Sequence, residues 1–351
     1  MQDINTVCFG PNFSELGWLL SRWHGYCRLR RFTEFKNLRS IAVDFDWRYP
    51  IYSDFIDDFY PLPKWVSELG WEQDCYELVP PDAHPGAVTP NEVYAQILAD
   101  CQKYYDPKTT WTVRPPRGCN FFIQFKCKQM WKPLEPSENA QVFVNSLLYN
   151  VYNDVVLVSA RGRKRTPQRN VPEFVWNKLV DMLVQYGFTV VITGTKDSSF
   201  LGNKIGRNII NMIPRTGVDG LDILIALMKK AKFSITSQSG PTHISLQCET
   251  PAYIVGHEAQ RHSIDENYLN TPAMFRTVQN NIYAAITSEK MLEDVLVFNQ
   301  QLTQSRNIVD LAYKTCYTED KNIMHNLIYE PPIVFYQIDT DNMRKELANV
   351  A

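Results

Sequence analysis

The sequence has 351 residues, of which 44% are hydrophobic and 21% charged, with a formal net charge of −2. That is enough chain for two α/β domains of ordinary size, each with its own core. The balance excludes a disordered chain and argues against a wholesale polyanion-binding surface, although a local basic patch stays open because charge distribution is what matters. The eight cysteines form no CxxC pair and no Cys/His spacing suited to zinc, so reduced thiols are expected. No charged-then-apolar leader opens the chain, and no apolar run approaches the roughly 20 residues that span a bilayer. A cytoplasmic protein without a membrane span is expected.

In chain order, Thr6 to Gly10 reads as a short apolar strand ending in the loop Gly10-Pro11-Asn12-Phe13-Ser14. A helix then opens at Ser14-Glu15, with Leu16, Leu19, Leu20 and Trp23 on one face and Arg22 on another. This is the start of a Rossmann-like unit, but it lacks the GxGxxG dinucleotide fingerprint. Ser40 to Phe45 is a second strand. Parallel-sheet enzymes hold ligands beyond the carboxyl ends of their strands, which makes Asp44 and Asp46 candidate bases. Residues 52–63 predict a helix-and-strand unit, residues 80–90 an exposed loop and residues 91–105 a helix. Farther on, Arg114, Arg117, Lys126, Lys128 and Lys132 interleave with Phe121, Phe122, Phe125 and Trp131. Two readings stand for that stretch: a half-buried sheet with a charged outer face, or a surface for a nucleic-acid or anionic-glycan acceptor.

Residues 154–158 form the strongest strand of the second half, and Ser159-Ala160-Arg161-Gly162-Arg163-Lys164 follows it. Five of the nine residues from 161 to 169 are basic. At the carboxyl end of a strand, such a run can neutralise a diphosphate leaving group; a solvated basic loop is the plainer alternative. A helix over 172–186 and a strand over 188–193 lead to Gly194-Thr195, which would approach a nucleotide. After a short strand at 208–212 comes a helix bearing Leu221, Leu224, Ile225 and Met228, then the strand Phe233 to Thr236 and the turn Ser237-Gln238-Ser239-Gly240-Pro241-Thr242-His243. Ser239 or Gly240 can cap the next helix and Pro241 suits its first turn, so free N–H groups face an incoming anion.

Strand, S-x-S-G-x-[ST]-H, short helix, T-P turn and an apolar strand ending in Gly together resemble the C-terminal domain of GT-B glycosyltransferases, closest to the heptosyltransferase-like group. The resemblance covers roughly residues 151–290 well and the first 150 loosely. In that group the turn carries D-[ST]-G-x-[ST]-H and lies against the donor diphosphate. Here Ser239, Gly240, Thr242 and His243 match, while Gln238 stands where the family has Asp. The resemblance implies that Ser159, Arg161, Arg163, Lys164, Gly194, Thr195, Gln238, Ser239, Gly240, Pro241, Thr242 and His243 hold the donor, with Glu258 on its ribose. It also implies a carboxylate base in the first βα loop, where Glu15 sits, and acceptor contacts in the first domain, for which Arg22, Arg114, Arg117 and Trp131 are the candidates.

The expected architecture is therefore α/β, two Rossmann-like domains facing across a cleft: an acceptor domain over 1–150, a donor domain over 151–290, and a segment over 291–351 packing back on the first. The expected activity is transfer of a glycosyl group from a nucleotide-sugar co-substrate to a hydroxyl, inverting and without a metal or other cofactor. A UDP-sugar is favoured over ADP- or GDP-sugars. The acceptor is a surface glycan or a hydroxymethylated base in DNA. A nucleotide-sugar epimerase or hydrolase, or an inactive GT-B binding module, remains the alternative.

Overall fold

The computed structural model describes residues 4–84, 86–117, 132–164, 166–213, 220–256, 275–279 and 286–317. The first half builds a parallel sheet from short apolar strands: β1 (Thr6–Phe9), β2 (Arg39–Asp44) and β3 (Asp58–Pro61). A small antiparallel hairpin of β4 (Glu72–Asp74) and β5 (Glu77–Val79) follows, and β6 (Thr110–Val113) completes the sheet in the order β3-β2-β1-β6. The second half contributes β7 (Val155–Ser159), β8 (Thr189–Ile192), β9 (Ile209–Asn211), β10 (Phe233–Ser237), β11 (Ala252–Gly256) and β12 (Phe275–Gln279). These lie in the order β12-β11-β10-β7-β8-β9, all parallel.

Both orders reverse direction once, between β1 and β6 in the first sheet and between β7 and β10 in the second. In open α/β sheets the crevice outside the carboxyl ends of the strands at such a reversal is where ligands bind. The inner strands are buried, Val7, Phe9, Val156, Val158, Ile235 and Val255 among them, because helices cover both faces, while the edge strands β3 and β9 are half-buried.

Gly10 ends β1 with φ +127°, and a Cβ there would lie 2.4 Å from the Val43 carbonyl oxygen, so only glycine lets the loop turn away from the sheet at this point. The helix after that loop opens over Leu16–Trp18, widens into a π-helical turn over Leu19–Trp23 and continues as His24–Phe32. Its apolar face, Leu19, Leu20 and Trp23, joins a core that also holds Ile244 and Cys248 from the second half, so the two units are packed together.

Several elements differ from expectation. A helix over Glu138–Leu147, capped by Ser137, was not predicted; Ala140 and Val144 share a core with Leu221, Ile225 and Met228, and Ser137 N–H donates to Asp222 Oδ1 at 2.9 Å. Residues ahead of position 150 thus pack on the second unit. The closing helix Ser288–Tyr317 lays Met291, Val295, Phe298 and Leu302 on Val175, Trp176 and Leu179 of the helix Glu173–Gln185. Its described contacts are with the second sheet's helices; the expected packing of the 291–351 segment on the first domain falls largely on residues outside the described ones. Cys75 is disulfide-bonded, while Cys8, Cys27, Cys101 and Cys248 are free and buried. The expectation of uniformly reduced thiols fails because separations along the chain do not reveal which sulfurs meet in space. Among the described residues no helix is long and apolar enough to cross a membrane.

Candidate active site

Three segments converge where the carboxyl ends of β1, β7 and β10 meet. The first is the loop Gly10–Ser14 and the opening of its helix. The second is the basic stretch after β7, and the third is the Ser237–His243 turn after β10. Their contacts are specific. Arg163 Nη1 donates to Glu15 Oε1 at 2.8 Å, and Arg163 Nη2 lies 3.6 Å from Glu72 Oε2 in the hairpin. Arg169 Nη2 donates to the Gln238 carbonyl oxygen at 2.8 Å. Leu16 and Gly17 meet the third segment directly: a Cβ on Gly17 would lie 3.0 Å from His243 Cδ2, and one on Gly240 would lie 3.1 Å from Leu16 Cδ2. Gln247 Nε2 donates to the Leu20 carbonyl oxygen at 3.0 Å. The glycines allow the two helix ends to approach this closely.

Glu15 precedes the helix with its backbone extended at φ −57° and ψ 141°, and its N–H donates to the Cys75 carbonyl oxygen at 2.7 Å. The Glu15 and Arg163 side chains remain 34% and 27% exposed, so a ligand can still reach both. An arginine held between two carboxylates, here Glu15 and the more distant Glu72, and still partly exposed can exchange partners when an anion arrives.

Asp44 and Asp46 have different positions from that of an available base. Asp44 is completely buried, and its carboxylate takes hydrogen bonds from Arg48 Nη1 at 2.9 Å, Tyr52 Oη at 2.8 Å, Asn12 Nδ2 at 2.6 Å and the Phe45 N–H at 2.7 Å. Burial pushes its carboxyl up from the ordinary range, against Arg48, Tyr52, Phe45 and Asn12, which hold it down. Its visible work is to fix the Glu15 loop. Asn12 Oδ1 accepts from the Ser14 N–H at 3.1 Å, and Arg48 Nη2 donates to the Ser14 carbonyl oxygen at 2.6 Å. Asp46 is exposed in the turn Asp46–Arg48. Asp44-Phe45-Asp46 also has the Asp-x-Asp spacing of a metal-binding triplet, yet Asp44's acceptor positions are engaged within the protein. Among the described residues no three His, Cys, Asp or Glu side chains gather to hold an ion.

The donor candidates divide between groups that shape loops and groups that face out. Ser159 Oγ and Thr193 Oγ1 bond to one another at 2.6 Å in the interior. Arg161 is buried and grips its own loop through Thr166, at 2.8 Å to Oγ1, and through Asn170. Gly194 has φ +145° and a Cβ there would meet Ser199, while Thr195 is exposed and bonded to Ser198. Lys164 is exposed. Gln238 is nearly buried beside Gly256, and its N–H pairs with the Val255 carbonyl oxygen at 3.1 Å. Thr242 is buried and donates to the Ser237 carbonyl oxygen at 2.8 Å, which closes the turn; Ser239 Oγ donates to the same oxygen at 3.1 Å. Gly240 and Pro241 begin the helix Gly240–Gln247.

Among the acceptor candidates, Arg22 stacks on Trp18, its guanidinium carbon 4.6 Å from the ring centre. Arg114 is exposed. Arg117 is occupied structurally, donating to Glu77 Oε1 at 3.1 Å and lying over Tyr94. Trp131 and Glu258 lie outside the described residues, as do Lys126, Lys128, the phenylalanines 121, 122 and 125, and residues 330–338. Sequence reasoning missed Glu72 and the Asn12–Arg48–Tyr52 cradle, and counted Arg169 only as one of the basic run. Nothing local marks them, because each acts through a contact made only when distant loops fold together.

His243 is pushed down to about 4, first by burial and then by the charges of Arg22 and Arg169. His24, in the interior, is pushed down to about 3 by burial and by Arg28. Both rings are therefore neutral near pH 7. Since the unfolded chain binds protons first, near the ordinary histidine value of about 6.5, stability is full above that value and is lost as pH falls from about 6.5 toward 4. Thermal midpoints are expected to drop over this window, and His24→Phe should flatten the slope; an unchanged midpoint down to about pH 5 would refute the assignment.

No protein-family model and no curated protein matches the sequence. Solved structures do. An E. coli ADP-heptose lipopolysaccharide heptosyltransferase II superposes with a TM-score of 0.54 at 13% identity, covering 85% of this chain and 99% of that one. A glycosyl transferase family 9 protein from Veillonella parvula gives a TM-score of 0.55 at 12% identity, covering 85% and 98%. An E. coli heptosyltransferase with ADP gives 0.50 at 12% identity, covering 84% and 99%. At such low identity the likeness speaks to architecture: the chain has the GT-B fold of heptosyltransferase-like glycosyltransferases, two Rossmann-like units facing across a cleft.

Proposed function

We propose that the protein is a glycosyltransferase that moves a sugar from a nucleoside-diphosphate sugar to an acceptor hydroxyl, with inversion and without a metal. The observation that carries this reading is the Glu15–Arg163 pair, which joins a carboxylate at the first sheet's reversal to a cation at the second's. In this reading Glu15 accepts the acceptor's proton as the hydroxyl attacks the anomeric carbon, and the bond to the diphosphate breaks on the opposite face. Arg163, Lys164 and the N–H groups opening the helix at Gly240 offset the charge on the departing diphosphate. Neutral His243 packs the corner without adding charge. Arg22, stacked on Trp18, and Arg114 are the acceptor-side groups, and Glu258 and Trp131 keep their proposed roles. Asp44 and Arg161 act by holding loops.

Donor binding tests the reading directly. UDP, GDP, ADP, CMP and their sugar conjugates are each added to the full chain and the thermal midpoint is followed, since a ligand bound only by the folded state must raise it. A shift with a nucleoside diphosphate is expected. The sequence favoured UDP, whereas an E. coli heptosyltransferase of the same fold was solved with ADP, so ADP-sugars stand beside UDP-sugars in the panel. No shift from any of them would count against the proposal. A donor consumed at full rate without acceptor would favour the epimerase or hydrolase, and binding without turnover the inactive module. For the acceptor we favour a glycan hydroxyl. Hydroxymethylated DNA is the alternative, and its binding should weaken steeply with added salt.

A further inference from the structure

The opposite edge of the second sheet, at the amino ends of its strands, has a different chemistry. β7 has five residues, so this edge lies about 17 Å from the candidate active site at 3.3 Å per residue. The chain enters β7 through Tyr149-Asn150-Val151-Tyr152-Asn153-Asp154. Tyr149 and Tyr152 are 81% and 91% exposed, and Tyr186, just past the helix Glu173–Gln185, is 61% exposed. Two concavities meet at Asn153. One, of about 470 Å³, is lined by Tyr186 and Asn299 among others; the second, of about 290 Å³, by Asn150, Tyr152 and Asn208.

The charge here is spoken for. Asp154 is the single ionisable carboxylate in either lining, and its Oδ2 receives Lys232 Nζ at 2.5 Å. Among the described residues the lining contains no lysine or arginine. What remains is a set of carboxamides, each a donor and an acceptor side by side, next to aromatic rings left in water.

We propose that this edge is a second binding site, for a neutral oligosaccharide. A pyranose presents an apolar C–H face that packs on a tyrosine ring, while its vicinal hydroxyls match the paired donor and acceptor of an Asn side chain. A nucleic acid needs cations along its backbone and finds none in the lining. The site goes beyond the proposed transfer and does not depend on it: sugars are held here without chemistry, on the far side of the sheet from Glu15 and Arg163. Where the acceptor is a long glycan, such a site retains the chain between encounters with the cleft and raises its local concentration.

The test is saturation-transfer difference NMR on the full chain with neutral hexasaccharides of glucose, mannose and N-acetylglucosamine as probes. Binding by at least one, with a dissociation constant on the order of 1 mM, is expected. The signal should fall at least about tenfold in the pair Tyr152→Ala/Tyr186→Ala and in Asn153→Ala, residues that line the two concavities, and persist in Arg163→Gln. The tyrosines are exposed, so the variants should keep the parent's thermal midpoint and its response to nucleotides. Absence of signal from every probe, a signal indifferent to the tyrosines and Asn153, or one abolished by Arg163→Gln would each overturn the proposal. Nucleotide binding reports separately on the transfer site, so either idea can fail alone.

Discussion

Glu15→Gln is expected to lower kcat by about 10²- to 10⁴-fold while leaving donor binding intact, the range that a positioned general base supplies. The substitution preserves shape and retains an oxygen for the Arg163 guanidinium at 2.8 Å, so the corner between the sheets should remain assembled. It removes the ability to accept a proton. Arg163→Gln should act differently, lowering donor affinity and kcat together, because in the proposed reaction Arg163 transfers from Glu15 to the diphosphate. Steady-state kinetics paired with nucleotide-induced thermal shifts separate the two variants. Full activity in Glu15→Gln, with loss in Asp46→Asn, would move the base to the exposed turn after β2.

Asp44→Ala is expected to destabilise the protein by about 3–5 kcal/mol, the cost of stranding a buried charge without its partner. Arg48 and Asp44 are both completely enclosed and lie 2.9 Å apart. Removing the carboxylate also frees Tyr52 and Asn12, and with Asn12 the turn that presents Glu15. A double replacement, Asp44→Leu with Arg48→Met, should recover much of the loss, since an apolar pair of similar volume avoids the desolvation cost. Denaturant unfolding of the two variants and the parent measures this. If Asp44→Ala unfolds at the parent's midpoint, the carboxylate is not holding the loop.

The donor half was largely legible because each of its elements carries its own signal. Val155–Val158 and Val190–Ile192 are continuous apolar runs, as strands buried on both faces must be, Phe233–Ser237 alternates apolar with small hydroxyl residues, and Glu173–Gln185 and Gly220–Lys230 keep helical spacing. The Ser-Gly-Pro opening of the helix Gly240–Gln247 follows from local backbone chemistry and needed no fold to be read. The hairpin β4–β5 was harder to see, since its strands have three residues each and no alternation long enough to register. The π-helical turn at Leu19–Trp23 is likewise invisible to a period of 3.6 residues.

The candidate site shows the same division. Sequence alone located a carboxylate after the first strand, a basic run after β7 and a capped turn after β10, because position relative to a strand end is a local property. It put Glu15 ahead of Asp44 by position alone; the physical difference, that one is enclosed by Arg48, Tyr52 and Asn12 while the other still meets solvent beside Arg163, is tertiary. Nor could it tell that Arg161 serves its own loop, that Arg117 is taken up by Glu77 and Thr89, or that Tyr152 and Tyr186 stand in water beside amides. Hydrophobic periodicity and turn chemistry act over a few residues, and so they determined the elements and their order. Burial, charge pairing and the meeting of Glu15 with Arg163 act between residues 148 positions apart, and only the packing of the two sheets decided them.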